Sequence, residues 1–404
     1  MGLHPDVKKY LKERFKSAVN SDLPTEVCTV QICDLMWLLF KFHPEDESTG
    51  EDLVDFFWRP IERFFVGGGS TFVCVFDAPQ HVPVAKAEEH KRRYGGAVRE
   101  ALESSACDEQ NLPRPWNAAL ADRRVRGTMC AFIAQGLERR FVANRDKLRT
   151  KAVYVSGVAD RVTRVDHTGP TLCDDHTAVV GIGEGDLAVA YWAQIFHEES
   201  TIVRVLDSDQ IPILQLRAHI AERKCPLLIW LVTPRKDAAM AYHGYTTMPY
   251  EGHTLVDVLA LNSQVTRAGM RVEEFCFHII CQKTDFVDKV IMNLGVAASL
   301  SALEKNISGA IRVTASAARC DSALVKRSFE RAVTHSKRKR AEVRPEGDVE
   351  FRRAWWTLCY WAFAWAGPLP ETLRPRPAFG FDEKGARTKR GQHEAYPTVH
   401  PPNE

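Results

Sequence analysis

Acidic residues stand where apolar runs of the chain end. Asp34 follows VQIC, Asp77 follows CVF and Asp207 follows VRVL. Further acids lie in three short motifs: Glu184 and Asp186 in GEGD, Asp207 and Asp209 in DSD, and Asp285 in TDF. Any single aspartate at such a place is explained about as well as a helix N-cap. Three of them after three predicted strands indicate a shared site.

A group of carboxylates this dense needs positive charge. Unpaired carboxylates a few ångströms apart repel each other, and one of them normally becomes protonated. Divalent cations remove that conflict, and ligand sets made only of oxygen favour Mg²⁺ or Mn²⁺ over Zn²⁺. Two such ions roughly 4 Å apart can activate a water and neutralise the leaving oxygen of a phosphodiester. The acids therefore predict phosphoryl-transfer or hydrolysis chemistry.

Other chemistries have less support in the sequence. Two C-x₄-C pairs, Cys28 with Cys33 and Cys276 with Cys281, lie in apolar runs that we interpret as strands, with His278 nearby. Cysteine in such runs behaves as a small hydrophobic residue, so a structural zinc site is disfavoured. The chain has no G-x-S-x-G, G-x-G-x-x-G or Walker A motif. Serine hydrolases and enzymes with nucleotide cofactors are therefore disfavoured as well.

Short apolar runs rich in β-branched residues predict the strands that would position these acids. They are Cys28–Cys33, Thr71–Phe76, Ala152–Val155, Thr201–Leu206, Pro226–Val232 and Phe275–Ile280. Helical spacing predicts helices between them, for example over Asp186–Phe196 and Thr254–Gln264. Strands that alternate with helices predict an α/β fold with a mostly parallel central sheet and helices on both faces. In such a sheet, functional groups gather at the carboxyl ends of the strands.

The region from Ala87 to Lys151 is polar and basic. Its cations include Lys91, Arg92, Arg93, Arg123, Arg124, Arg126, Arg139 and Arg140. Solvated faces of mixed-charge helices explain this composition. A surface that follows the phosphates of a nucleic acid explains it too, and composition alone slightly favours the first interpretation.

The composition of the whole chain limits its partners. Of 404 residues, 45% are hydrophobic and 26% charged, with a formal net charge of +2, so any nucleic-acid surface has to be local. Eleven cysteines without a secretion signal predict reduced thiols in a soluble intracellular protein. Ala354–Gly367, the most apolar stretch, is too short to span a membrane and predicts a buried core helix. The basic run Lys337–Arg340 is compatible with nuclear targeting.

The order of these motifs resembles the 5′-nuclease superfamily, which includes flap endonucleases, Holliday-junction resolving relatives and 5′→3′ exoribonucleases on a PIN-like fold. The matching pieces run in family order over about the first 300 residues: the opening Met-Gly, Asp34, VFDAPQHVPVAKAEEHKRR, GEGD, DSD and TDF. The resemblance implies a nuclease core over residues 1–300, with a basic helical arch inserted at 87–151. A C-terminal helical region over 301–367 and an irregular tail over 368–404 would follow.

The resemblance also implies roles for single residues. A pair of Mg²⁺ or Mn²⁺ ions would be held by Asp34, Asp77, Glu184, Asp186, Asp207, Asp209 and Asp285. Lys86, Arg92 and Arg93 would reach the scissile phosphate from the arch. The nucleic acid would also contact Lys91, Arg123, Arg124, Arg126, Arg139 and Arg140. Gly2 would approach the active site.

Two departures from the family pattern bear on the substrate. Ala78 stands where the family usually has glycine, and after Asp285 only Gly295 remains of the G-x-G hairpin with which flap endonucleases grip duplex DNA. We therefore expect a metal-dependent nuclease that acts on DNA or RNA, without support for duplex anchoring by that hairpin. The alternative is a catalytically silent protein on the same fold that binds nucleic acid or a protein partner.

Overall fold

The computed structural model describes most of the chain before residue 364. The described residues are 3, 5–20, 28–39, 41–76, 102–158, 161–176, 179, 185–232, 253–282, 284, 287, 289–294, 296–304, 309–314, 318–334, 336, 341–343 and 347–363. Within these residues, no helix is both long enough and apolar enough to cross a lipid bilayer.

Nine strands of the described chain form one mixed sheet. In spatial order they are β1 (Val19–Asn20), β9 (His253–Asp257), β8 (Leu227–Val232), β7 (Thr201–Val205), β2 (Val30–Asp34), β3 (Thr71–Val75), β4 (Ala152–Val158), β5 (Arg161–Asp166) and β6 (Gly169–Leu172). The strands from β8 to β4 run parallel, and the outer strands pair antiparallel. The predicted α/β fold with a parallel central sheet is confirmed. Two short ladders lie outside it, β10 (Ile291–Met292) with β13 (Glu342–Val343) and β11 (Ile311–Val313) with β12 (Ala318–Cys320).

The order in which the chain adds parallel strands to the sheet reverses between β2 and β7. From β2 the chain moves to β3 and β4 on one side, and it later returns to β7 and then β8 on the other side. At such a switch the connections diverge to opposite faces of the sheet, which leaves a crevice beyond the carboxyl ends of the two strands. The residues that follow β2 and β7 therefore meet at one place.

Helices cover both faces of the sheet. They are α1 (Pro5–Arg14), α2 (Met36–Leu39), α3 (Gly50–Val66), α4 (Trp116–Ala121), α5 (Arg123–Ala143), α6 (Gly185–Ile195), α7 (Gln210–Ile220), α8 (Val258–Arg267), α9 (Val272–Cys281), α10 (Val296–Glu304), α11 (Ser322–Thr334) and α12 (Gly347–Phe363). Val30, Ile32 and Val203 face a core shared with α1 and with α6 to α12. Cys33 and Phe72 face the core formed with α2 to α5. This alternation is that of strands buried on both faces.

The sequence of α3 determines both its start and its buried face. The Thr49 hydroxyl accepts the N–H of Asp52 at 3.3 Å, and the Asp52 carboxylate accepts the N–H of Thr49 at 2.8 Å. This reciprocal capping box satisfies backbone donors that the first helical turn leaves without partners. Leu53, Phe57 and Ile61 follow at intervals of one turn and are fully buried. The helix therefore presents one apolar stripe to the sheet.

Up to Phe363, where the description ends, the most apolar stretch of the chain is a buried helix, as predicted. In α12, Ala354, Leu358 and Trp361 have no exposed surface and belong to the core shared with the sheet. Near the end of this helix, Arg217 of α7 donates from Nη1 to the carbonyl of Ala362. Burial lowers the pKa of Arg217 to about 8. A cation suits this place because the carbonyl end of a helix carries a partial negative charge.

Two predictions of local structure were wrong. Phe275–Ile280 is part of α9 and not a strand. Every residue of α9 is buried, so the segment has no polar face from which the helical period could be recognised. The segment predicted as helical from Thr254 begins instead as β9, and the helix starts only after Asp257. Asp257 ends the strand and caps α8, since its Oδ1 accepts the N–H of Ala260 at 2.9 Å.

A buried carboxylate joins α7 to α9. Glu273 has no exposed side-chain surface, and its Oε1 accepts hydrogen bonds from Nε and Nη2 of Arg271 at 2.8 and 2.6 Å. Its Oε2 lies 3.3 Å from Nε2 of His219. Burial by itself would raise the pKa of Glu273, but His219 and Arg271 outweigh it and hold the pKa below its usual value of 4.5. The ionised form therefore stabilises the native state.

We expect Glu273→Gln to lower the free energy of unfolding at neutral pH by about 1 to 3 kcal/mol, because hydrogen bonds to a charged group are lost. The stabilisation is complete above the carboxyl's unfolded-state pKa and disappears as the pH falls through its lower native pKa. Urea denaturation at pH 7 and at about pH 3 measures the difference between the two proteins. Glu62→Gln, on the exposed face of α3, is the control and should change stability by less than about 0.5 kcal/mol. An equal difference at both pH values would show that the charge of Glu273 is not the stabilising feature.

Candidate functional site

Four of the seven predicted metal-binding acids lie within the described residues. Asp34 is the last residue of β2, and Asp207 lies two residues beyond the end of β7. Asp209 immediately precedes α7, and Asp186 is the second residue of α6. We call these four acids the carboxyl edge, because they lie where the parallel strands β2 and β7 end. Asp77, Glu184 and Asp285 lie outside the described residues.

The register of β2 with β7 determines where Asp34 lies at the carboxyl edge. Cys33 is opposite Arg204, so Asp34 lies level with Val205 and one step from the point where β7 leaves the sheet. Asp34 Oδ1 accepts the N–H of Met36 at 3.0 Å. Asp34 therefore turns the chain into α2, the local capping role that its position also suggested. This role is compatible with a second one at the carboxyl edge, because a carboxylate has several acceptor sites.

The DSD motif forms a tight turn between β7 and α7. Asp207 Oδ1 accepts the N–H of Asp209 at 3.2 Å, so both aspartates belong to one turn. Asp207 is half-buried, whereas Ser208 and Asp209 are almost completely buried. The Ser208 hydroxyl accepts the N–H of Leu3 at 2.9 Å, across 205 positions of sequence. The residue next to Gly2 thus contacts the turn between Asp207 and Asp209, while Gly2 itself lies outside the described residues.

A buried glutamine connects the two helix starts. Gln210 has no exposed surface, and its Nε2 donates to the carbonyl oxygen of Asp186 at 2.8 Å and to its Oδ1 at 3.0 Å. Because Gln210 follows Asp209 directly, these hydrogen bonds hold the beginning of α6 beside the beginning of α7. Helix N-termini carry partial positive charge, which favours carboxylates at these positions. The sequence offered no sign of this role for Gln210.

The donor atoms at the carboxyl edge suit a hard divalent cation. All four described acids supply carboxylate oxygens, which Mg²⁺ and Mn²⁺ prefer. Among the residues that the structure describes, no three His, Cys, Asp or Glu side chains come close enough together to hold an ion. The described acids have the donor chemistry of the predicted metal but do not by themselves form a ligand set, so the predicted site would need further acids such as Asp77, Glu184 or Asp285.

The basic residues assigned to nucleic-acid binding occupy different environments. Arg126 is 7% exposed, and its Nη1 donates to the carbonyl of Leu120 at 2.6 Å. The prediction of a phosphate contact for Arg126 is therefore corrected: the guanidinium points into the protein and holds α4 against α5. Arg124 is exposed in the first turn of α5, which Arg123 begins.

The two arginines in the last turns of α5 have carboxylate partners. Arg140 lies 2.8 Å from Glu51 and 2.7 Å from Asp55, and Arg139 lies 3.2 Å from Glu51 and 3.5 Å from Glu109. These arginines lie about 24 Å along α5 from its start, near the end that leads into the amino end of β4. Their charges are matched by the acids of α3. Lys86, Lys91, Arg92 and Arg93 lie outside the described residues.

The described part of the basic region is built into the core. Val125, Met129 and Ile133 of α5 pack in the same core as Phe72 and Val153 of the sheet. Residues 102–151 therefore form a layer that covers the sheet, and the basic helical arch or insertion expected over 87–151 stays a prediction. Only residues 87–101 of that region lie outside the description.

Comparisons with known proteins do not assign the chain to a group. No protein-family model matches it, and no curated protein matches it. The architecture defines the class only as an α/β protein with a large mixed sheet, in which Asp34 and Asp207 lie at the carboxyl ends of the two strands that flank the switch point.

Proposed function

We propose that this protein is a divalent-metal-dependent nuclease of the PIN-like 5′-nuclease type, which hydrolyses phosphodiester bonds of DNA or RNA. The observation that carries the proposal is the placement of Asp34, Asp186, Asp207 and Asp209 at the switch point between β2 and β7. Ligand sites of open α/β sheets lie at such points. The contact of Leu3 with Ser208 adds support, because the 5′-nuclease resemblance places the N-terminal residues beside the active site.

Two features of the carboxyl edge support this chemistry: two of its acids are accessible, and the other two are held in place by their surroundings. Bound Mg²⁺ or Mn²⁺ would supply Lewis acidity toward the phosphate and offset the charge of the carboxylates. Asp34 and Asp207 are half-buried and remain accessible, so they are the described residues best placed to meet an ion. Asp186 and Asp209 are buried, and their helix starts hold them in place. Arg124 and the basic residues from Lys86 to Arg93 would orient the phosphate.

The second candidate is a catalytically silent protein on the same fold. The local hydrogen bonds of the edge acids favour it, because Asp34, Asp186 and Asp207 each accept a bond that organises a turn or a helix start. On this view the acids serve the fold, and the protein binds nucleic acid or a partner without cutting it.

Calorimetric titration with Mg²⁺ and Mn²⁺ separates the two candidates. A nuclease should bind the ions, and Asp207→Asn should weaken that binding by at least about tenfold, since even second-shell changes cost 10- to 100-fold in metal affinity. Incubation with 5′-flap DNA and with 5′-phosphorylated single-stranded RNA, each with Mg²⁺, then identifies the substrate class. Absence of both metal binding and cleavage would reject the nuclease and leave the silent protein.

A further inference from the structure

One face of β7 and β8 carries a small buried cluster of its own. Cys28, Ile202 and Leu228 form this cluster, and Trp230 packs against it. Alternate residues of the same strands, such as Val203 and Leu231, belong instead to the large core on the other face. The helix α7, which connects β7 to β8, packs on that other face. The face with Trp230 therefore has a much smaller core among the described residues.

Three planar side chains form a stack across this face. Arg204 is opposite Trp230 in the register of β7 and β8, and its Cζ lies 4.7 Å from the centre of the indole ring. The His253 ring lies nearly parallel to the indole, with ring centres 4.1 Å apart and an angle of 21° between the planes. All three side chains are half-buried. We call them the cation–aromatic stack. Such planar groups are those on which single-stranded nucleic acids stack their bases.

A second basic group lies near the arginine of the stack. Burial, together with the positive charge of nearby Arg204, lowers the pKa of Lys41 to about 7. Within the described part of the chain, the contact of Arg204 is with Trp230, and no carboxylate forms an ion pair with it. Asp257 is on the same face of β9 but at the opposite end of the strand from His253, where it caps α8. The stack therefore complements an anion that also has an aromatic surface.

The stack is close to the carboxyl edge. Arg204 precedes Asp207 by three residues, a distance of about 10 Å along an extended chain. On its other side Arg204 is opposite Cys33, the residue before Asp34. A nucleic-acid strand held at the stack is thus within a few nucleotides of the acids.

We propose that the cation–aromatic stack binds a single-stranded nucleic acid, with a phosphate at Arg204 and a base that extends the stack of Trp230 and His253. This inference rests on the proposed nuclease function, to which it adds the path of the strand toward the carboxyl edge. The proposal also predicts that single strands bind without sequence preference, because every base has a face that can stack.

The test is a binding titration that does not depend on cleavage. A fluorescently labelled single-stranded oligonucleotide of about ten residues is titrated with the full chain in EDTA, and its anisotropy is measured at several salt concentrations. Trp230→Leu should weaken binding by about 5- to 100-fold, and Trp230→Phe should recover part of the loss. Arg204→Gln should weaken binding and reduce the slope of log affinity against log salt by about 0.7, the value for one phosphate contact on a single strand.

Arg312→Gln is the matched control, because it removes the same charge from an exposed position on β11. It should leave the affinity and the salt slope close to those of the wild type. The proposal is overturned if the wild type binds no oligonucleotide, or if the stack variants bind as well as Arg312→Gln. It is also overturned if Trp230→Leu converts a dimer to a monomer in sedimentation without changing oligonucleotide affinity, because the face would then join two copies of the chain. Since EDTA removes metal from the assay, a wild type that binds through the stack but never cleaves with Mg²⁺ rejects only the nuclease.

Discussion

Asp207→Asn should reduce Mg²⁺-dependent cleavage by at least about 100-fold, because it removes one negative charge from the carboxyl edge while leaving the turn in place. The asparagine side chain has nearly the same shape, and its Oδ1 can still accept the N–H of Asp209 that Asp207 Oδ1 accepts at 3.2 Å. The free energy of unfolding should therefore change by less than about 1 kcal/mol. Initial rates on the cleaved substrate, with urea denaturation of the same preparation, measure both quantities.

Asp146→Asn is the control for this prediction. Asp146 is exposed in the turn before β4, at the amino ends of the parallel strands, and so lies at the opposite end of the sheet from the carboxyl edge. The change in charge is the same in both variants. If the two variants cleave equally well, the carboxyl edge is not the catalytic site. If Asp207→Asn loses activity because it unfolds, the denaturation midpoint shows it, and Asp34→Asn then tests the same site from β2.

Gly157→Ala should lower the free energy of unfolding by about 2 to 5 kcal/mol, for two reasons that add. Gly157 has φ of +86°, in the left-handed region that costs other residues about 1 to 2 kcal/mol. A Cβ at this position would also overlap the carbonyl oxygen of Phe76, and overpacking of this kind costs about 1 to 3 kcal/mol. Urea denaturation at neutral pH measures the total.

Gly269→Ala separates the two contributions. Gly269 has the same φ of +86°, but a Cβ there would meet nothing within 4 Å. This variant should lose only the backbone contribution, about 1 to 2 kcal/mol. A loss in Gly157→Ala no larger than that in Gly269→Ala would mean that β4 shifts away from Phe76 without cost.

The elements around the carboxyl edge could be predicted from sequence because their signals are local. β2, β3 and β7 are short runs of apolar and β-branched residues. An aspartate ends β2, and one follows β3 and β7 within two residues. Because the carboxyl ends of parallel strands lie at the same edge of a sheet, those aspartates are predicted to lie at one edge. That β7 returns beside β2 does not follow from any local pattern. The contact of Leu3 with Ser208 is equally unpredictable, because it joins residues 205 positions apart.

The errors in the prediction have physical causes that can be named. A helix buried on every side, such as α9, lacks the polar face that distinguishes it from a buried strand. The resemblance implies a phosphate contact for Arg126, but this residue lies four and seven positions before the buried residues Cys130 and Ile133. Its place on that stripe was a signal for burial. Gln210 had no comparable signal, because its partner Asp186 is 24 positions away.

The positive charge in residues 123–143 is a weak guide to nucleic-acid binding, and the structure shows why. Arg139 and Arg140 are matched by Glu51, Asp55 and Glu109, which lie on or beside α3. Exposed pairs of this kind contribute little to stability, yet they cancel the field that would attract phosphate. Arg204, a cation in an apolar strand, is the stronger candidate because its contact is with an aromatic ring.

The central position of β2 has a consequence for how the protein is made. β2 pairs with β3 on one side and with β7 on the other, and Val30 of β2 meets Thr201 of β7 across 171 positions of sequence. While the ribosome is still synthesising the intervening residues, the middle strand of the finished sheet has an open edge of N–H and C=O groups. Such an edge recruits other strands and promotes aggregation. A nascent chain that stalls before β7 thus exposes an aggregation-prone edge of β2, the strand that is most protected in the finished molecule.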